Sequence, residues 1–221
     1  MYVPKDAFQS SLGELAVIAA TLEHAGSVLE LRDDLARWML DQSIEQWRPG
    51  ELPLEWIQEC ISHGWVYVVP RGDKLVASVT VVWDDPLMWG EPPEPAGYIH
   101  MLTVDRDLAG HGIGRSLLAW AEHRIAYSGR HVARLDCVRS NWPLRSYYER
   151  AGYGLVGYKD LLEIEWALEA ALYEKTLRQN DPEARCAVLC SSNGLVDLSF
   201  CARAWCVADR QFGTADQRQR A

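Results

Sequence analysis

The chain has 221 residues, of which 48% are hydrophobic and 24% charged, enough for one well-buried domain with residues to spare. Its 31 acidic residues outnumber 22 Lys and Arg, giving a net charge of −9. That balance speaks against general nucleic-acid binding, which needs a basic face to neutralise phosphates. No apolar run approaches the roughly 18–20 residues that span a bilayer. Residues 1–10 lack a basic stretch followed by an apolar one, so no membrane segment or secretory signal is expected and the protein reads as cytoplasmic.

Residues 14–21 are apolar with β-branched members and read as a first strand. Ser27 can cap a helix in which Val28, Leu31, Leu35, Trp38 and Met39 recur at helical spacing as far as Gln42. Pro49-Gly50 breaks this region, and a second, short helix over 54–61 ends at Gly64. Strands at 65–69 and 75–83 flank a turn at 70–73 and form a hairpin, and a loop with four prolines leads to a strand at 98–104. An amphipathic helix over 112–127 carries Ile113, Leu117, Leu118, Ala121 and Ile125 on one face. A strand at 132–138, a helix at 143–150, and strands at 153–158 and 167–176 complete an α/β layered pattern.

The remainder, residues 179–221, differs in character. It holds five acidic and five basic residues, so the body carries the whole net charge. It also holds Cys186, Cys190, Cys201 and Cys206, four of the six cysteines, at spacings wider than the paired C-x2-C of zinc sites and with no His among them. It reads as an extension without a catalytic role, and no metal is expected.

The strongest local feature is the segment from Val104 to Arg115, where a strand ends and Gly110, Gly112 and Gly114 lead into a helix. Glycines allow close backbone approach, and free amides at a helix start favour anions, so the segment can cradle phosphate, with Arg115 adding a charge-assisted contact. Neither the dinucleotide nor the P-loop spacing is met, and a tight strand-to-helix turn without a ligand is the alternative for the segment taken alone.

A second segment changes that balance. The strand at 132–138 is followed by Asn141-Trp-Pro-Leu144-Arg-Ser-Tyr147-Tyr148-Glu-Arg-Ala-Gly152-Tyr153. Together with Ala109-Gly-His-Gly112-Ile-Gly114 it resembles the GNAT superfamily of acyl-CoA-dependent N-acetyltransferases, whose pattern is R/Q-x-x-G-x-G/A and then N-x-x-A-x-x-F-Y-x-x-x-G-F. The interval of roughly 27 residues between the glycines and Asn141 fits one helix and one strand. Ala109 and Leu144 depart from the pattern, and without the Arg or Gln usual at position 109 a slightly weaker donor affinity is expected.

The resemblance covers residues 14–178, with 179–221 as a C-terminal extension. It implies a central mixed, largely antiparallel sheet of about seven strands flanked by about four helices. It implies acetyl-CoA as co-substrate. Leu102, Val104 and Asn141 would meet the pantetheine arm, and Gly110, Gly112, Ile113, Gly114 and Arg115 the pyrophosphate. Tyr148 would protonate the departing thiolate, against the alternative of a packed ring with its hydroxyl tied to backbone.

An alkyl ammonium must lose a proton before it can attack. His100 stands near the position of the family's strand Glu and, by alternation, on the side of Leu102 and Val104, so it can serve as a water-mediated base, or else be a half-buried His bonded to a neighbouring strand. Trp47, Trp83 and Trp89 with Asp84, Asp85, Glu91 and Glu94 could form an aromatic, acidic pocket for a cation, the alternative being tryptophans that simply belong to the core. A small-molecule amine is expected as acceptor rather than a protein, in a monomer or homodimer. A non-catalytic acyl-CoA sensor is the competing reading.

Overall fold

The computed structural model describes residues 6–91, 94–160 and 169–177, so the expected extension at 179–221 lies outside them. In chain order the strands are β1 (Ala7–Ser10), β2 (Gly13–Ala16), β3 (Ile18–Ala19), β4 (Val66–Arg71), β5 (Lys74–Val82), β6 (Ala96–Val104), β7 (Val132–Val138), β8 (Gly154–Asp160) and β9 (Glu169–Thr176). The helices are α1 (Ala25–Asp41), α2 (Leu54–Ser62), α3 (Pro86–Trp89), α4 (Ile113–Tyr127) and α5 (Trp142–Arg150). A seven-stranded sheet runs β3-β4-β5-β6-β7-β9-β8, antiparallel throughout except where β6 meets β7.

The sheet is covered on both faces, which is why β4 and β5 are near-continuous apolar runs rather than alternating ones. On one face α1 and α2 bury Val28, Leu35, Met39 and Ile57 against Val66, Val68 and Tyr98. On the other, α4 and α5 bury Ile113, Leu117, Ile125 and Tyr148 against Val79, Ile99 and Leu135. The helical spacing read from the sequence therefore names the faces that pack, and the expected layered α/β fold is the one observed.

Ser27, expected as a cap, lies inside α1, and α3 stands in the expected proline loop; two further departures concern the strands. Residues 14–21 are not one strand. Gly13–Ala16 pairs instead with Ala7–Ser10, a strand not anticipated, to make a separate hairpin. Val17 then donates its amide to the Asp6 carbonyl at 2.7 Å, and Ile18–Ala19 crosses to the edge of the main sheet. One apolar run thus serves two sheets.

The second departure is a β-bulge in β6. Opposite β5, Ser78 pairs with Thr103 but Thr80 pairs with His100, so β6 holds one extra residue, and Met101 takes a φ of 48°. Tyr98 and Met101 consequently pack beneath α1 and α2, while Ile99, Leu102 and Val104 pack beneath α4. His100, two residues on from Tyr98, shares the face of Tyr98. It is turned away from Leu102 and Val104, contrary to strict alternation. Among the described residues, no helix is long and apolar enough to cross a membrane.

Candidate active site

The parallel contact between β6 and β7 is short. It comprises Ala96 with Val132, Gly97 with Ala133 and Tyr98 with Arg134, and beyond these the two strands diverge. Gly97 permits this arrangement because a Cβ there would lie 2.3 Å from Ile125, so α4 rests directly on the seam. A cavity of about 790 Å³ opens in the wedge, lined on the sheet by His100, Leu102, Val104, Asp136 and Val138.

At one end the cavity meets the glycine-rich segment. Gly110 and Gly112 adopt φ of 85° and 79°, which side chains other than glycine rarely take. Gly112 caps α4, and the amides of Ile113, Gly114 and Arg115 lie in its first turn, where no earlier carbonyl is available to accept from them. Gly110, Gly112, Ile113, Gly114 and Arg115 all line the cavity, and Arg106 joins them. The β1–β2 hairpin braces this loop from outside. Ser11 bonds the His111 ring at 2.7 Å, and the Ser116 hydroxyl donates to the Gln9 carbonyl at 3.1 Å.

Tyr148 enters the cavity from α5. Its ring is held among Tyr147, Tyr153 and Tyr173, with centroids 5.5–6.3 Å away. Among the described residues its hydroxyl takes no hydrogen bond, so it is not tied to backbone. Burial, with Cys137, Tyr147 and Asp136 adding, holds the phenol well above the usual tyrosine range, so it stays protonated. Tyr147 lies closer to the glycines. A Cβ on Gly114 would come within 3.3 Å of its hydroxyl, which is buried without a partner among the described residues.

His100 stands between two carboxylates. Its Nε2 is 3.3 Å from Oδ2 of Asp85 and its Nδ1 is 3.8 Å from Oδ1 of Asp136. Asp85 is fixed at the start of α3, where its Oδ1 accepts from the amide of Met88 at 3.2 Å. Asp136 projects from β7 into the cavity with its side chain 6% exposed. Burial pushes its carboxyl up to about 6, the effect of Asp85 adding and that of His100 opposing.

The expected acceptor residues are not assembled into one pocket. Trp47 lines the cavity and belongs to the core beneath α1 and α2, whereas Trp83 packs on the opposite face of the sheet. Neither Asp84 nor Asp85 is among the lining side chains, and Asp85 instead backs His100. The tryptophan faces already carry the protein's own cations. Arg32 lies 5.2 Å from the Trp47 ring, Arg130 5.3 Å from Trp83 and Arg134 4.9 Å from Trp89. Asn141 lines the cavity, but its side chain caps α5 and reaches Gln46.

Sequence reasoning missed Asp136 and Tyr147. The signal for Asp136 was present, since a carboxylate in the apolar run Val132–Val138 is out of place in a buried strand unless it has a task. Unbonded amides, two glycines at positive φ, nearby arginines and the orphaned Tyr147 hydroxyl together suit the phosphates and amides of acetyl-CoA.

Comparison with known proteins agrees with this fold. A model of the acetyltransferase (GNAT) family matches residues 32–153. The uncharacterized N-acetyltransferase YesJ of Bacillus subtilis (strain 168) is 34% identical over 146 residues, covering 62% of this chain and 81% of that protein. A GNAT-family acetyltransferase from Listeria monocytogenes 4b F2365 superposes with a TM-score of 0.65 at 23% identity, over 77% of this chain and 99% of the other. The PaiA N-acetyltransferase of Thermoplasma acidophilum, solved in complex with coenzyme A, has a TM-score of 0.56 at 15% identity, over 73% of this chain and 98% of its own.

Proposed function

The chain belongs to the acetyltransferase (GNAT) family and is an acetyl-CoA-dependent acyltransferase, and on that premise we propose that it acetylates a small-molecule primary amine by direct attack. Acetyl-CoA supplies a thioester carbonyl that a neutral amine can attack. The amides and side chains at 110–115, with Arg106 and the Tyr147 hydroxyl, hold its phosphates and arm. Tyr148 donates a proton to the departing sulfur. The His100–Asp136 pair receives the proton that the ammonium must lose, directly or through water.

The observation that carries this reading is the continuity of one cavity from the start of α4 to Tyr148, His100 and Asp136. Cys137, the described cysteine on its wall, is a poor candidate for a covalent acyl carrier because burial pushes its thiol up to about 12.

Calorimetric titration with acetyl-CoA, followed by an assay of thiol release, tests the reading. Tyr148→Phe is expected to bind acetyl-CoA as the parent does, since its hydroxyl gives up no protein hydrogen bond, and to lose roughly 10²–10⁴-fold in turnover. A folded protein that ignores millimolar acetyl-CoA would defeat the proposal.

A further inference from the structure

The charge of the cavity is opposite to that of the protein. In a chain of net charge −9, the described residues lining the cavity carry four guanidiniums, on Arg32, Arg48, Arg106 and Arg115, against two carboxylates, Glu51 and Asp136. Glu51 is committed already. Its Oε1 accepts from Arg32 and its Oε2 from the amide of Arg48 at 2.9 Å. Asp136 is therefore the lining carboxylate placed to meet a cation, with His100 of β6 beside it, Asp85 behind His100 and Tyr148 of α5 nearby.

The wall on the α1 side joins Leu35, Trp38, Met39, Trp47 and Leu52 to Arg32 and Arg48, while its acceptors are already engaged, Glu51 by Arg32 and the Arg48 amide and the Gln46 side-chain carbonyl by Asn141. A second ammonium on the acceptor would be left against these side chains without a hydrogen-bond partner, or beside a guanidinium that repels it.

We infer that the acceptor is a primary monoamine on an apolar body, its ammonium docked on Asp136 beside His100, and not a polyamine. The inference rests on the acetyl-transfer reading above. In the step itself the ammonium gives one proton to the Asp136 carboxylate, directly or through His100, and the nitrogen lone pair attacks the acetyl carbon. The C–N bond forms as the C–S bond breaks, and Tyr148 protonates the sulfur. The second nitrogen proton, lost as the amide forms, restores the Tyr148 phenol, and the proton on Asp136 passes to solvent.

The test compares 2-phenylethylamine with spermidine by thiol release, on the full chain at saturating acetyl-CoA. The expected kcat/KM favours 2-phenylethylamine by at least about tenfold. Asp136→Asn should lower turnover of 2-phenylethylamine by roughly 10²-fold or more, while acetyl-CoA affinity, measured by calorimetry, stays within about threefold, which also shows that the variant is folded. Spermidine acetylated as well as or better than 2-phenylethylamine, or Asp136→Asn retaining turnover, overturns the inference. So do two inert amines in a protein that binds acetyl-CoA, an outcome that leaves the acetyl-transfer reading standing. Failure to bind acetyl-CoA removes that reading and the inference with it.

Discussion

The Asn141 Nδ2 donates to Oε1 of Gln46 across 2.7 Å, and both residues are buried. Because the Asn141 Oδ1 also accepts from the Leu144 amide at 3.2 Å, one side chain joins the start of α5 to the loop that follows α1. That loop and α5 both line the cavity. Gln46→Ala strands a buried amide donor and is expected to cost about 1–3 kcal/mol. Asn141→Ala also loses the cap, about 1 kcal/mol more. Urea midpoints of both single variants and the double variant should show coupling, and strict additivity would mean that the bridge carries no energy.

Asp136 makes a prediction about stability as well as turnover. A buried carboxyl moved from its ordinary 3.8 to about 6 is harder to ionise in the fold than in the unfolded chain. Below pH 3.8 both states are protonated and nothing is lost. Between 3.8 and about 6 the unfolded state ionises first and stability falls, and above 6 the loss is complete, of order 3 kcal/mol. Asp136→Asn should thus match the parent near pH 4 and be more stable by roughly 1–3 kcal/mol at pH 7, although less active. Thermal unfolding at the two pH values checks this. A variant less stable at pH 7 would show that the carboxylate is stabilised, not strained, by its surroundings.

Gly97 lies at the seam of β6, β7 and α4. A methyl group there would meet the Ile125 side chain at 2.3–2.8 Å, so Gly97→Ala must push α4 away or force Ile125 from its rotamer. The expected loss is about 1–3 kcal/mol. Because α4 also carries the first-turn amides of the cradle, weaker acetyl-CoA binding should accompany it. A fully stable Gly97→Ala protein with unchanged binding would show that the seam is not packed as described.

Cys60 and Cys137 are both buried, and burial holds the Cys137 thiol largely protonated. Neither should be alkylated by iodoacetamide in the native protein over minutes at pH 7.5, as read by peptide mass spectrometry, and Cys137→Ala should retain most of the turnover. Loss of turnover in that variant, without loss of fold, would point to a covalent acyl carrier.

The fold was largely legible because its signals are local. The helical spacing from Val28 to Met39, the spacing from Ile113 to Ile125 and the apolar runs of β4 and β5 each declare their buried face without reference to the rest of the chain. The errors lie where geometry is set at a distance. The division of residues 14–21 depends on an N-terminal strand with weak apolar character, and the bulge at Met101 is visible only in the register against β5. That bulge reversed the orientation expected for His100. The pairing of His100 with Asp136 depends in turn on β7 being laid beside β6, with α4 between them in sequence. Trp47 and Trp83, grouped together as acceptor residues, read alike in sequence yet lie on opposite faces of the sheet.

The short parallel contact has one more consequence. Past Tyr98 and Arg134 the inner edges of β6 and β7 have no strand partner among the described residues, so the sheet contains an edge within itself. Open edges invite other chains to add strands and aggregate, and proteins usually blunt them with charge or cover. Here helices on both faces screen the edge, and the gap between the strands is a cavity rather than an open flank. The protein thereby keeps unpaired backbone groups available to a slender ligand while denying them to a second polypeptide.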